Sequence, residues 1–249
     1  METKLELQIE NNHGKTAVTH SYFTSPLKLG IPNTRQERLR VVLMMASAGI
    51  LQGDCFQYEI TCKENTKTEI TEQSYSKIFN TGEENASKQI EIYLEKNASL
   101  YYCPKAVIPF AESSFQGDMT VHLERESEFV YTDILAAGRV GMGERFAFSR
   151  YRNRICVLEE GRPVWLDHCY LNPQQMDVEK MVFFDGYTHQ GTFYYYGEKE
   201  KQEKVLSYEP QGEVVLAKTQ PAAGVCIRVL AHTAQDIEEE FQRLQEIIE

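Results

Sequence analysis

The residues with chemical potential in this chain are scattered acids and histidines set beside glycine-rich turns. Asp54 closes Gly49-Ile50-Leu51-Gln52-Gly53-Asp54, where the two glycines suit backbone with positive φ or close approach. Asp133, Arg139 and Glu144 are spaced through a second such segment, Asp133 to Phe146, as a structural charge network or as a path for a cation. Asp167-His168-Cys169 offers three metal-ligand types in a row. On a strand, however, Asp167 and Cys169 face opposite to His168, so one ion does not easily take all three. Asp185 lies near His189, an arrangement in which a carboxylate orients an imidazole for proton or metal work, or simply a turn at Asp185-Gly186. These two Asp/His pairs, acting as acid and base, define the alternative reading of a stand-alone β-rich enzyme.

Other chemistry is missing from the sequence. It has no G-x-x-x-x-G-K-[ST] loop to cradle a nucleotide, no G-x-S-x-G elbow and no H-E-x-x-H. Gly138, Gly141 and Gly143 fall in the wrong order for a dinucleotide fingerprint. The six cysteines contain no C-x-x-C and fit no zinc spacing, so they read as reduced, buried thiols.

The elements that must position these groups are mostly strands. Leu5, Leu7 and Ile9 alternate before the turn Asn11-Asn12-His13-Gly14, and Lys15 to Phe23 runs back as a hairpin. Similar short runs recur at Val41–Ala46, Thr71–Phe79, Gln89–Glu95, Leu100–Tyr102, Met119–Glu124, Tyr151–Leu158 and Val164–Leu171. Three more follow at Phe193–Tyr196, Glu213–Lys218 and Val225–Leu230. About a dozen short strands with turns between them predict a mainly β protein: a sandwich, a barrel or a stacked-sheet solenoid. No repeat of fixed period and no linker is visible, so residues 1–249 read as one domain.

Two helices are expected. Thr233 caps one, whose Ile237, Phe241, Leu244 and Ile248 form a single apolar stripe. Its acids, Glu240 among them, read as a solvated face or an acidic docking surface. A shorter helix is expected after Asn172-Pro173, through Met176 and Val178 to Met181. The run Gly197 to Lys204 reads as a charged, solvated tip.

The 249 residues carry 26 Lys+Arg against 37 Asp+Glu, a net charge of −11. That excess of acid argues against nucleic acid or an anionic membrane as the main partner and favours a basic protein or a cation. No apolar stretch is long enough to span a bilayer, and the first residues lack the apolar region of a secretory signal, so a cytoplasmic location is expected.

Several segments, in order, resemble the urease accessory protein family UreD/UreH. Gly49 to Asp54 resembles its Gly-Gly-hydrophobic-x-Gly-Gly-Asp segment, with Ala48 and Gln52 standing where the family usually has glycine. Thr71-Glu72-Gln73 with Lys77-Ile78-Phe79 resembles its Thr-x-Gln…Lys segment. Pro104 and Pro109 flank an apolar turn as in the family. Gly138-Arg139 and Gly143-Glu144-Arg145-Phe146 resemble its Gly-Arg…Gly-Glu-x-Phe segment. Phe183 to His189 and the Val225–Leu230 strand with its following helix also fit, so the likeness spans residues 26 to 248.

The resemblance implies a fold of stacked β-strands, helix-like in winding, with two helices. It implies a non-catalytic urease maturation factor that binds the helical protein UreF. UreF recruits the GTPase UreG, and the assembly docks on apo-urease for nickel delivery. No tightly bound cofactor is implied; GTP belongs to UreG, and Ni²⁺ passes transiently. Ni²⁺ accepts carboxylate, imidazole and water, and a carrier must release it, so scattered carboxylates suit the task. Asp54, Asp133 and Glu144 are the candidates to edge such a passage, with Arg139 or Lys77 balancing charge. The expected partner surface is aromatic: Phe183, Tyr187, His189 and, on the last helix, Phe241.

Overall fold

The structure is a computed structural model and describes residues 1–32, 37–181 and 183–249. The chain begins with β1 (Glu2–Asn12), β2 (Lys15–Phe23), β3 (Leu27–Gly30), β4 (Leu39–Met45), β5 (Cys55–Cys62) and β6 (Lys67–Glu72). It continues through β7 (Ser76–Ile78), β8 (Ala86–Leu94), β9 (Ser99–Cys103), β10 (Val107–Pro109), β11 (Ser114–Leu123) and β12 (Glu128–Ala136). A 3-10 turn (Val140–Met142) precedes β13 (Arg150–Glu159), β14 (Arg162–Leu171) and β15 (His189–Tyr196). The last elements are α1 (Lys199–Ser207), β16 (Val215–Thr219), β17 (Val225–Ala231) and α2 (Ala234–Ile248).

The strands form two sheets, and the middle of the chain alternates between them. One sheet has the order β14-β13-β11-β8-β5-β1-β2 and the other β16-β17-β15-β12-β9-β6-β4-β3. Successive visits to a sheet pair in parallel: β1, β5, β8, β11 and β13 in the first, β4, β6, β9 and β12 in the second. That is solenoid winding. Antiparallel hairpins close both ends, β1/β2 and β3/β4 at one, β13/β14 and β15/β17/β16 at the other. The rungs of the first sheet start at Cys55, Ala86, Ser114 and Arg150, at unequal intervals. The winding therefore leaves no fixed period in the sequence.

The core lies between the sheets. Leu7, Ile60, Ile92 and Val121 of the first sheet meet Val41, Ile70, Leu100 and Phe129 of the second. The outer face of the first sheet alternates polar and exposed. The outer face of the second is apolar, because α1 and α2 cover it: Phe193 and Ile227 pack with Ile237, Phe241 and Leu244. Thr233 Oγ1 caps α2 by accepting from the Asp236 amide at 3.1 Å, and the expected apolar stripe is the buried one.

Four expectations are corrected here. The shorter helix is α1, in the charged run read as a solvated tip; its Val205 is fully buried in the helix-covered core and Lys204 pairs with Glu200 one turn away. Residues after Asn172-Pro173 make turns instead, because Val178 plugs into a core with Phe184 and Tyr151 and ends the winding. Glu240 is buried, not on a solvated face: its carboxylate accepts from the Tyr208 hydroxyl, the Gly212 amide at 2.8 Å and Arg243 at 2.6 Å. Thr71–Phe79, read as one strand, bends at Gln73–Tyr75 between β6 and β7, where β7 leaves to pair with β10.

Candidate functional site

The polar residues of the interior form a seam at one end of the two sheets. Lys88 on β8 lies in phase with Ala86, Ile90 and Ile92, so its side chain points between the sheets. It pairs at 3.1 Å with Glu72, at the end of β6 in the facing sheet. Burial alone would lower the Lys88 ammonium, but Glu72 and the nearby Tyr102 and Tyr58 outweigh it and raise its pKa. Deeper in, Asp133 on β12 accepts from Asn153 Nδ2 of β13 at 3.2 Å. Beyond it, Arg228 of β17 pairs with Asp167 of β14 and donates to Thr192 at 2.5 Å.

Two spaces open along this seam. An outer groove of about 520 Å³ has an apolar wall that includes Leu43, Met45 and Phe56 and a polar rim at Gln73 to Lys77. An inner cavity of about 60 Å³ is lined by Tyr102, Tyr131, Asp133, Tyr151 and Asn153. Sixty cubic ångströms is room for a few waters. The Tyr102 hydroxyl, on a residue 2% exposed, has no hydrogen-bond partner among the described residues. An orphaned buried hydroxyl beside a cavity marks a place where a polar guest is worth more than an empty space.

Asp133 is the reactive group of this cavity. Burial, and then the neighbouring Asp167 carboxylate, push its pKa up to about 6. Its direct partner is an amide rather than a cation. Gly117, one strand away, is what lets Asn153 reach it: a Cβ there would stand 2.4 Å from Asn153 Oδ1.

The sequence candidates separate into two groups. Of the three carboxylates, Asp133 lines the inner cavity; Asp54 and Glu144 do not. Asp54 accepts from the Leu51 amide at 2.8 Å and from the Met1 amine at 3.0 Å, closing its turn. Glu144 accepts from the Ala111 amide at 2.9 Å and pairs with Arg139, which holds it below the usual carboxylate range. Lys77 and Gln73 line the outer groove and Pro104 the inner cavity.

The glycine-bearing motifs nonetheless meet in space. Gly49 packs so closely on β7 that a Cβ would stand 2.5 Å from the Lys77 carbonyl and 2.7 Å from Phe79. Phe79 packs on Phe110 at 4.8 Å, next to Pro109, and Arg139 lies over Phe110 at 4.6 Å. Gly138 and Gly143 carry the backbone around that turn to Phe146, which packs on Phe184 at 4.8 Å. Gly53 sits in the turn that Asp54 closes. Segments far apart in sequence thus build one continuous ridge of loops at the end of the sheets where the groove opens.

The partner-surface candidates are less exposed than expected. Phe241 is 4% exposed and packs on Phe193, so it belongs to the core under α2 and offers no surface anchor. Tyr187 stacks on His232 at 4.7 Å, and Phe183 is half-buried near Phe184. His189 bonds the Thr188 hydroxyl and the His232 carbonyl, not Asp185, and burial lowers its pKa. Asp167 is likewise held by Arg228, while His168 points outward, so neither Asp/His pair is assembled for acid–base work. Among the described residues, no three His, Cys, Asp or Glu side chains converge as a metal cage.

The family model described as UreD urease accessory protein matches residues 1–249 of this chain. The chain belongs to the UreD urease accessory protein family. It is 35% identical over 190 residues to the urease accessory protein UreH of Helicobacter pylori strain P12, covering 76% of this chain and 72% of that protein. UreH of Helicobacter hepaticus is 36% identical over 177 residues, 71% of this chain and 70% of that one. UreD of Acetivibrio thermocellus is 29% identical over 255 aligned positions, 99% of this chain and 97% of that one. The family is one of urease accessory proteins, factors in urease maturation rather than catalysts. No helix of the described residues is long and apolar enough to cross a membrane.

Proposed function

We propose that this UreD-family chain is a cytoplasmic scaffold that binds UreF, and through it UreG, on apo-urease, and that nickel reaches urease by way of the seam between its two sheets. The observation that carries the second half is Asp133: a carboxylate facing an inter-sheet cavity and, among the described residues, in no ion pair, its direct partner being the Asn153 amide. Ni²⁺ accepts carboxylate and water, and one carboxylate with an amide and phenols around it binds weakly enough to release. Asp167 lies close enough to raise the Asp133 pKa but is itself paired with Arg228, and Tyr102 leaves a hydroxyl free to hold a water beside the carboxylate. Among the described residues, no group of three His, Cys, Asp or Glu side chains stands there to hold a metal permanently.

The test is co-expression with UreF, UreG and the urease subunits, wild type against Asp133→Asn. The expected result is an equal yield of assembled complex by size-exclusion chromatography and a lower nickel content per urease. Unchanged nickel loading with Asp133→Asn would leave the scaffold role standing and remove the passage.

A further inference from the structure

The outer groove and the inner cavity meet at one neck. Glu72 and Lys88 line both spaces. Their ion pair spans the gap from one sheet to the other. Glu72 is also held by the Ser76 hydroxyl at 3.1 Å, and the Lys88 ammonium lies 5.0 Å from the centre of the Tyr58 ring. Their side chains are 13% and 17% exposed, so water screens the pair weakly. Lys105, at the same neck, is balanced by Glu238 of α2, and Lys77 on the groove rim has no ion pair among the described residues.

From this geometry we infer that the Lys88–Glu72 pair is a charge gate for divalent cations. The inference rests on the passage proposed above. With the pair closed, an ammonium stands in the neck and a dication approaching from the groove meets repulsion in a poorly screened space. When Lys88 swings away, the same movement removes the positive charge and frees the Glu72 carboxylate, the first oxygen ligand on the way to Asp133. A cation waiting in solution is excluded; one delivered when the pair opens is received.

The two halves of the pair therefore have opposite effects. Lys88→Met keeps the side-chain length, removes the repulsion and leaves Glu72 free, so entry is faster. Glu72→Gln leaves the ammonium unpaired in the neck, so entry is slower. A pair that merely braced the sheets would loosen the structure in both variants alike.

Trp165, the single tryptophan of the chain, reports on the interior. It is buried on β14, stacked on Tyr194 at 4.0 Å and 6.3 Å from Tyr131, which lines the cavity. The experiment is stopped-flow quenching of Trp165 fluorescence in the full chain by Ni²⁺ and, separately, by neutral acrylamide. Variants are Lys88→Met, Glu72→Gln, the double variant and Asp133→Asn, each checked for folding by urea titration. The expected result is Ni²⁺ quenching accelerated at least about tenfold by Lys88→Met, slowed by Glu72→Gln and near wild type in the double variant. Acrylamide quenching stays unchanged throughout. If Lys88→Met does not fold, Lys88→Gln with Glu72→Gln tests the same opposition of sign.

Changes of the same sign in both single variants, or parallel changes with acrylamide, would overturn the gate. If Asp133→Asn alone alters Ni²⁺ quenching, the gate falls and the passage stands. If no variant alters it, the passage falls and the gate with it.

Discussion

Asn153 donates to Asp133 across the interior, 3.2 Å from amide nitrogen to carboxylate oxygen, joining β13 of one sheet to β12 of the other. The carboxylate sits where desolvation raises its pKa to about 6 from an ordinary 3.8. The folded chain therefore holds a proton there more tightly than the unfolded one. Asp133 does not destabilise the fold below about pH 4, and stability is lost as pH rises through 6. The loss amounts to roughly 1 to 3 kcal/mol, trimmed by the water that the cavity admits. Asp133→Asn is expected to be more stable than wild type by that amount at pH 7.5 and about equal to it at pH 4. Urea unfolding at the two pH values measures the difference. A variant less stable than wild type at pH 7.5 would show that the carboxylate is a structural asset.

Gly117 is the reason that Asn153 reaches its position. A Cβ at 117 would stand 2.4 Å from Asn153 Oδ1, and the amide would have to turn away. Gly117→Ala is expected to cost about 1 to 3 kcal/mol by overpacking. The double variant Gly117→Ala/Asn153→Ala removes the clash and is expected to lose less than the sum of the two single variants, by about 1 kcal/mol. Equilibrium unfolding of the four proteins closes the cycle.

The most legible strands are those whose inward positions are uniformly apolar. β1 and β11 alternate cleanly, and α2 carries an apolar stripe behind a Thr233 cap. Two strands are obscured by the site or by burial on both faces, whereas β13, β14 and β17 stay legible although they carry Asn153, Asp167 and Arg228. In β8, Lys88 occupies an inward position, so the apolar alternation is legible only from Gln89, three residues after the strand begins at Ala86. In β12, Phe129, Tyr131 and Asp133 face one core while Val130 and Ile134 face the other, and no period-two pattern survives. The signal for the site is present nonetheless: Lys88, Asp133, Asn153, Asp167 and Arg228 are polar residues in phase with apolar neighbours on β8, β12, β13, β14 and β17. Reading it required knowing which strands lie side by side, and the unequal rungs hide that. The glycine-bearing motifs were visible for the opposite reason. They are local turns, but most of their chemistry holds the ridge of loops together.

Glu240 separates burial from charge on α2. The acids around it are solvated or paired at the surface, whereas Glu240 takes the Tyr208 hydroxyl and the Gln211 and Gly212 amides that would otherwise be unpaired beneath the helix. Glu240→Ala is expected to cost about 3 kcal/mol or more, since it orphans several donors at once and leaves Arg243 without its buried partner. Glu240→Gln keeps an acceptor and is expected to lose less. Thermal unfolding of both variants, with Glu239→Ala as the exposed control within about 0.5 kcal/mol of wild type, checks the ranking.

Asp54 and Glu144 stand beside the same glycine-rich turns that suggested a shared role with Asp133, yet their oxygens are taken by backbone amides and by charges at the surface. Their loss is expected to act on stability and not on cargo. Asp54→Asn and Glu144→Gln weaken charge-assisted bonds and are expected to lower stability by about 1 to 2 kcal/mol each. Asp133→Asn is expected to raise stability at neutral pH and to lower nickel loading. Measuring unfolding free energy and nickel per urease for the three variants, normalised to assembled complex, separates the roles. Asp54→Asn and Glu144→Gln fall on the stability axis and Asp133→Asn on the loading axis, with opposite sign in stability. If Glu144→Gln depressed loading at full complex yield as strongly as Asp133→Asn does, the route would have to run past the Arg139 turn rather than through the cavity between the sheets.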